Sequence, residues 1–272
     1  MKVACLIREY PPAIYFLNRI HDAHPLSLGV VERNRAEGFF GAMKKRGVAH
    51  GVDLAKAKIR EVLRMPRDYS LYFGNKWRGP EKDVPILETE NINADEVYRR
   101  IAEAKPDVIL VCGTSVLRER ITAAAPLVIN LHVGLSPYYR GMYCTQWALL
   151  NRDPHNIGVT IHKVTRDIDG GDIAAQKRVE VTPDDTVHSI NMRIYREGTE
   201  LALALLKKID NGWNLGFTAQ DLTLGRFYYI RELTPRLARK VKRIERSGLL
   251  VEVLENPSRK DKLPIVELGG KE

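Results

Sequence analysis

The chain has 272 residues, long enough for a well-filled core as one large domain or as one of about 200 residues with a smaller appendage. Hydrophobic residues make up 44% and charged residues 28%, which excludes a disordered chain. The formal net charge of +9 points to a nucleic-acid partner or an anionic small substrate.

In chain order, residues 3–7 read as a short buried strand followed by charge and by Pro11-Pro12, a poor signal peptide. A helix is expected over 14–24 and a strand over 26–31. Residues 33–57 read as a charged helix whose buried side is Phe39, Phe40 and Met43. From 64 to 85 the pattern breaks into loop rich in aromatic and basic residues. Such a loop either carries function or is merely pinned by its aromatics. A strand follows at 84–87, and a helix starts at Asn93 or Ala94 and runs through Glu103, with Asp95 and Glu96 in its first turn. Residues 108–112 and 126–132 are continuous apolar runs, as expected of strands buried on both faces. In open parallel sheets ligands bind beyond the carboxyl ends of strands, which makes the Gly113-Thr114-Ser115 turn a candidate site. Strand-like patterns recur at 158–161 and 171–181. An amphipathic helix is expected over 186–209, closed by 211–214.

Together these elements predict an α/β fold: a Rossmann-like, mostly parallel sheet with helices on both faces and a small C-terminal appendage. The expected division is a catalytic domain over 1–212 and a C-terminal subdomain over 213–272. The latter would hold a short strand or hairpin at 226–230, a basic amphipathic helix at 235–247 and an end at 268–272 without fixed structure. The basic helix is either a solvated face or a phosphate- or RNA-contacting surface. No apolar run is long enough to span a membrane. Cys5, Cys112 and Cys144 show no metal or disulfide spacing, which suits reduced packing residues of a cytoplasmic protein, although Cys144 follows a candidate loop.

Two segments carry the chemistry. In Asn130-Leu131-His132-Val133-Gly134-Leu135-Ser136-Pro137-Tyr138-Tyr139-Arg140-Gly141, an amide and an imidazole two apart on a strand project to one side. Asn can donate to a developing oxyanion, and His can act as acid, base or cation. In the run from Gly158 to Ile173, Asp169-Gly170-Gly171 is a carboxylate turn whose glycines allow backbone angles closed to other residues. Taken singly, each pattern is also that of a cap or a turn.

Taken together, they resemble the folate-dependent formyltransferases, which include enzymes acting on glycinamide ribonucleotide, methionyl-tRNA and nucleotide-linked amino sugars. The resemblance covers residues 105–209. It rests on Asn-x-His, Leu-x-Pro and Gly, followed by Gly-x-Thr-x-His and Asp-x-Gly. Val133-Gly134 departs from it, since many members have Pro-Ser there. The resemblance implies transfer of a formyl group from 10-formyltetrahydrofolate to a primary amine, with Asn130, His132 and Asp169 as catalytic residues and no metal. Asn130 and a protonated His132 would stabilise the oxyanion, and Asp169 would keep His132 charged. Folate would lie against Ser115, Val116 and Leu117 and against Val164, Thr165, Asp167 and Ile168. His162 belongs to the motif and reads as a structural strand residue.

For the acceptor, Arg8-Glu9-Tyr10-Pro11-Pro12 cannot form the glycine-rich phosphate loop of the glycinamide ribonucleotide enzymes. The tail looks too short for the added barrel of the methionyl-tRNA enzymes. The expected partner is a small anionic amine, foremost a nucleotide-linked amino sugar, with Tyr138, Tyr139, Arg140, Gly141 and the 64–80 loop as its binding residues. A hydroxyornithine-like amino acid, methionyl-tRNA and hydrolysis of the formylated folate remain alternatives. So do a non-catalytic folate- or nucleotide-binding protein on the same scaffold and a homodimer.

Overall fold

In a computed structural model, residues 1–33, 67–213, 215–246, 248–259 and 261–269 are described. The expected helix at 33–57, with Phe39, Phe40 and Met43, lies outside them except for its first residue.

A seven-stranded sheet runs in the order β3-β2-β1-β4-β5-β7-β8. It is made of β1 (Val3–Arg8), β2 (Leu26–Glu32), β3 (Ile86–Thr89), β4 (Val108–Cys112), β5 (Leu127–His132), β7 (Gly158–Lys163) and β8 (Ile173–Arg178). The first five are parallel to one another. Strands β7 and β8 are antiparallel additions, with β7 paired to β5. The chain winds outward from β1 to β3 and then crosses back to β4 beside β1. The topological switch therefore lies at the carboxyl ends of β1 and β4, where such sheets open a crevice. This is the predicted α/β class.

Helices cover both faces. On one, α1 (Pro11–Ala23) and α5 (Val187–Asp210) pack together over Val3, Cys5, Ile7, Ile129 and Leu131. On the other, α2 (Asp95–Ala104) and the short α3 (Glu119–Thr122) cover Ala4, Leu6, Ile109, Val111 and Val128. Alternate residues of β1, β4 and β5 thus serve opposite cores, which is why these strands read as unbroken apolar runs. Phe16, Leu17 and Ile20 of α1 are fully buried, each stabilising the fold by about 1.5–3 kcal/mol.

Several boundaries differ from expectation. Helix α1 starts three residues early because Pro11 and Pro12 occupy its first turn, where the missing N–H costs nothing. Strand β3 begins after Pro85, which has no N–H for the ladder. The segment read as loop from 64 is helical over 67–73. There Tyr69 and Phe73 are buried against Tyr15 and Met192, and Trp77 packs on Tyr69. Its Lys76 is held between Asp22 and Glu81. Helix α5 has a capping box, with Thr186 and Ser189 exchanging side-chain and backbone bonds. Just before it, Asp185 accepts from the Thr182 backbone, Ser189 and both terminal nitrogens of Arg193.

After α5 the chain returns over the sheet. Thr218 bridges Ile173, and β9 (Arg226–Tyr228) pairs in parallel with β6 (Tyr139–Gly141), just beyond β5. The expected basic helix is present as α6 (Pro235–Arg246). It packs on α4 (Cys144–Leu150) and on α7 (Leu249–Glu255), two helices the sequence reading did not anticipate. Beyond α7, Gln176 of β8 bonds the backbone of Val266 through its own N–H and its side-chain carbonyl. No described helix is long and apolar enough to cross a membrane.

Candidate active site

Strand β5 ends on Asn130 and His132, on one side of the sheet as their spacing requires. The loop beyond it folds back so that His132 Nε2 lies 3.0 Å from the Tyr139 carbonyl oxygen. Gly134 makes this approach possible, because a Cβ there would stand 2.5 Å from His132 Nε2 and 2.6 Å from that same oxygen. The departure from Pro-Ser thus has a local packing reason.

The turn after β7 brings in Asp169. The notable backbone angle belongs to Asp169 itself, at φ 54°, and not to the glycines after it as expected. Gly171 is there for space, since a Cβ would collide with the Lys163 carbonyl. Asp169 Oδ2 lies 3.4 Å from His132 Nδ1 and accepts from the Gly141 N–H at 2.9 Å. Gln220, from the segment after α5, holds the Asp169 and Gly171 carbonyl oxygens.

His162, read from the sequence as a structural strand residue, stands beside the candidate trio. In the antiparallel β5–β7 register it stands directly opposite Asn130, with Nε2 3.3 Å from Asn130 Nδ2 and 3.5 Å from Asp169 Oδ1. The signal lay in the pairing of two distant strands, which periodicity within either one does not contain. Cys144, at the start of α4, also reaches the site, with Sγ 3.7 Å from His132 Nε2. Burial, with Asp169 beside it, pushes this thiol well above its usual range, which disfavours a thiolate there.

Burial pushes the Asp169 carboxyl up, but the two imidazoles and the Gly141 N–H outweigh it and hold the group well below the usual carboxylate range. For His132 burial wins, and the imidazole sits below its ordinary value although Asp169 acts the other way. In the free site burial thus opposes the charged imidazole that the resemblance implies, while Asp169 favours it. With acceptors at both ring nitrogens and a single ring proton, one nitrogen stays basic.

Two cavities meet at these residues. The smaller, about 110 Å³, is lined by Ser115, Val116 and Leu117 after β4, by Val164, Thr165, Asp167 and Ile168 after β7, and by His162. The larger, about 560 Å³, is lined by His132, Cys144, Arg8, Tyr10 and residues of α4 and α5, with Phe227 and Ile230 from the C-terminal segment. Asn130 and Asp169 line both. Apolar Val116 (64% exposed) and Ile230 (61% exposed) stand at the rim, surface that a bound ligand would cover. Of the four residues expected to bind the acceptor, Gly141 lines the larger cavity. Tyr139 is buried with its hydroxyl on Asp153, Arg140 bonds the Pro137 and Leu222 carbonyls, and Tyr138 is half-buried outside the lining. Among the described residues no group of three His, Cys, Asp or Glu has metal-binding geometry.

Comparison with known proteins follows this geometry. Methionyl-tRNA formyltransferase of Kosmotoga olearia is 33% identical over 143 residues, covering 52% of this chain and 45% of the relative. The chain spans about half the length of the curated relatives it matches. Among solved structures, the fold is shared with an N-formyltransferase of Helicobacter canadensis crystallised with folinic acid and dTDP-3-aminofucose. That match has a TM-score of 0.56 at 15% identity and covers 86% of this chain and 73% of the other. It is shared also with glycinamide ribonucleotide transformylase 1 of Symbiobacterium toebii, with a TM-score of 0.53 at 18% identity, covering 81% and 95%. The formyl transferase family model matches residues 45–206, more than half of the sequence, and the chain belongs to that family.

Proposed function

We propose that the chain transfers a formyl group from 10-formyltetrahydrofolate to the primary amine of a small anionic substrate, with Asn130, His132 and Asp169 as the catalytic residues. The observation that carries this reading is the shared wall: Asn130 and Asp169 line both cavities, so donor and acceptor would meet at them. The smaller cavity suits one end of the folate. Its lining combines apolar Val111, Val116, Leu117, Val164 and Ile168 with polar groups such as Ser115, Asn130 and Asp167, a mixture that suits a flat heterocycle. Bound there, 10-formyltetrahydrofolate supplies the activated formyl carbon.

The residues divide the work by position. The Asn130 amide, at the junction, donates to the oxygen on which charge develops. His132 lines only the acceptor side and takes the proton of the attacking amine on its basic nitrogen. Asp169, ionised, stabilises the imidazolium that forms until its proton passes to the folate nitrogen whose bond to the formyl carbon breaks. His162 lines only the folate side, where it orients Asp169 and Asn130. The domain division at 212 and a cytoplasmic setting for the three free, buried cysteines belong to the same reading.

A nucleotide-linked amino sugar leads as acceptor, in keeping with the aminosugar nucleotide held by the Helicobacter protein. Methionyl-tRNA is the second reading, favoured by the similar methionyl-tRNA formyltransferases and by the exposed Arg236, Arg239, Lys240 and Lys242 of α6. The test is amine-dependent release of tetrahydrofolate, run with amino-sugar nucleotides, glycinamide ribonucleotide, charged initiator tRNA and hydroxyornithine. If formate appears at the same rate without any amine, the protein is a hydrolase and the transfer reading fails.

A further inference from the structure

Few charged groups line the larger cavity. Among the described residues its one carboxylate is Asp169 and its one imidazole His132. Among the described residues, no other Asp or Glu lines it, and its one Lys or Arg is Arg8, at the carboxyl end of β1. Arg8 is fixed in place from behind. Its Nη2 donates to Ser115 Oγ at 2.8 Å and lies 3.5 Å from Glu32 Oε2. Glu32 is itself buried and held by the Ser115 N–H at 2.7 Å and the Ile92 N–H at 3.3 Å. A third of the Arg8 side chain stays open. A guanidinium anchored in this way keeps further N–H groups to offer and loses little freedom in offering them.

Other residues of the lining add donors. Tyr10 donates its hydroxyl to that of Tyr195 at 2.9 Å, which leaves the Tyr195 proton to give. Burial pushes both phenols up, so both keep their protons. Asn191 accepts from Thr145 Oγ1 at 2.6 Å through its carbonyl oxygen, and its NH₂ has no partner among the described residues. Among the described residues, one cation, backed by Glu32, and two free donor groups thus line the cavity that would hold the amine.

We infer that Arg8, with Tyr195 and Asn191, forms an anion subsite in the acceptor cavity, and that the amine substrate carries a phosphate or carboxylate which binds there. This rests on the formyl-transfer reading for the amine, but the subsite itself can be tested without it.

The test titrates the full chain with inorganic phosphate and, separately, acetate in chloride buffer, and reads binding by calorimetry. Wild type is expected to bind one of the two. Arg8→Met should weaken that anion at least about tenfold, and Arg8→Lys less, because a point charge replaces a forked donor. Asn191→Asp, nearly isosteric, should also weaken it by placing a carboxylate where the donor stood. This holds the inference to account even if loss of Arg8 disturbs Glu32. Phosphate preference assigns a phosphorylated acceptor, and acetate preference a carboxylated one. No binding to wild type, or equal binding by wild type and variants, overturns the subsite.

A second arm follows 10-formyltetrahydrofolate turnover with phosphoethanolamine, β-alanine and propylamine, which present phosphate, carboxylate and no acid. The matching acidic amine should show the lowest KM, and Arg8→Met should raise that KM more than it lowers kcat. Propylamine used equally well refutes the subsite and leaves formyl transfer standing. If no amine in this set or the acceptor panel drives turnover although the folate binds, formyl transfer fails while the anion titration still judges the subsite.

Discussion

Two acceptors surround the ring of His132, and burial disfavours its charge, so its protonation is a balance that small changes will move. If His132 takes the amine proton, kcat/KM should fall on the acid side with an apparent pKa below the ordinary imidazole value of about 6.5. Asp169 is a force raising that value, so Asp169→Asn should lower kcat and move the acid limb further down. A limb that moves up refutes the assignment. Asn130→Ala should reduce kcat by about 10²–10³-fold with little change in thermal stability, measured by initial rates and melting of the same preparation. Gly134→Ala tests placement rather than chemistry. Its methyl group must displace the imidazole or the Tyr139 carbonyl, and kcat should drop on the order of 10²-fold with the catalytic side chains intact. Unchanged turnover would mean that the loop yields without moving His132.

Among the elements, the long α5 depends on the cluster before its first turn. Burial pushes the Asp185 carboxyl up, but Arg193, the Thr182 N–H and Ser189 outweigh it and bring it down to about 2. A carboxyl lowered on folding stabilises the protein fully above its unfolded value of about 3.9, and that stability is lost as pH falls toward 2. Asp185→Asn should therefore cost about 1.5–3 kcal/mol at neutral pH and flatten the acid limb of stability, seen by urea unfolding between pH 2 and 5. Elements like this one were legible in the sequence. Thr186, Ser189 and the apolar stripe are local signals, and the double-sided burial of β4 and β5 shows in their unbroken apolar runs. The helix at 67–73 was not legible. Tyr69 and Phe73 are four apart, as on a helix face, but Pro66 and the Trp77-Arg78-Gly79-Pro80 run around them look like loop. Nor was the antiparallel entry of β7, because the register that sets His162 against Asn130 is decided between strands. The candidate site was therefore readable as a pair of motifs, while the placement of His162 and the divided cavity needed the fold.

At the scale of the molecule, the site is assembled from parts far apart in sequence. Arg8 comes from the first strand, Asn130 and His132 from the fifth, and Phe227 and Ile230 from the C-terminal segment. Positive charge was visible at once in the composition, yet among the described residues its one representative in the larger cavity is Arg8, with the helix α6 cluster lying on the surface.

The backbone bond of Gln176 to Val266 has a further consequence. Strand β8 is the last in the sheet, and an unpaired edge is a template for a second chain. Thr218 occupies the start of that edge and Val266 its middle, so the C-terminal stretch works as a molecular hem. A chain cut after residue 259 should keep its sheet but self-associate as concentration rises, which light scattering would reveal. A truncated chain that stays as monodisperse as the full one would show the edge to be protected by other means.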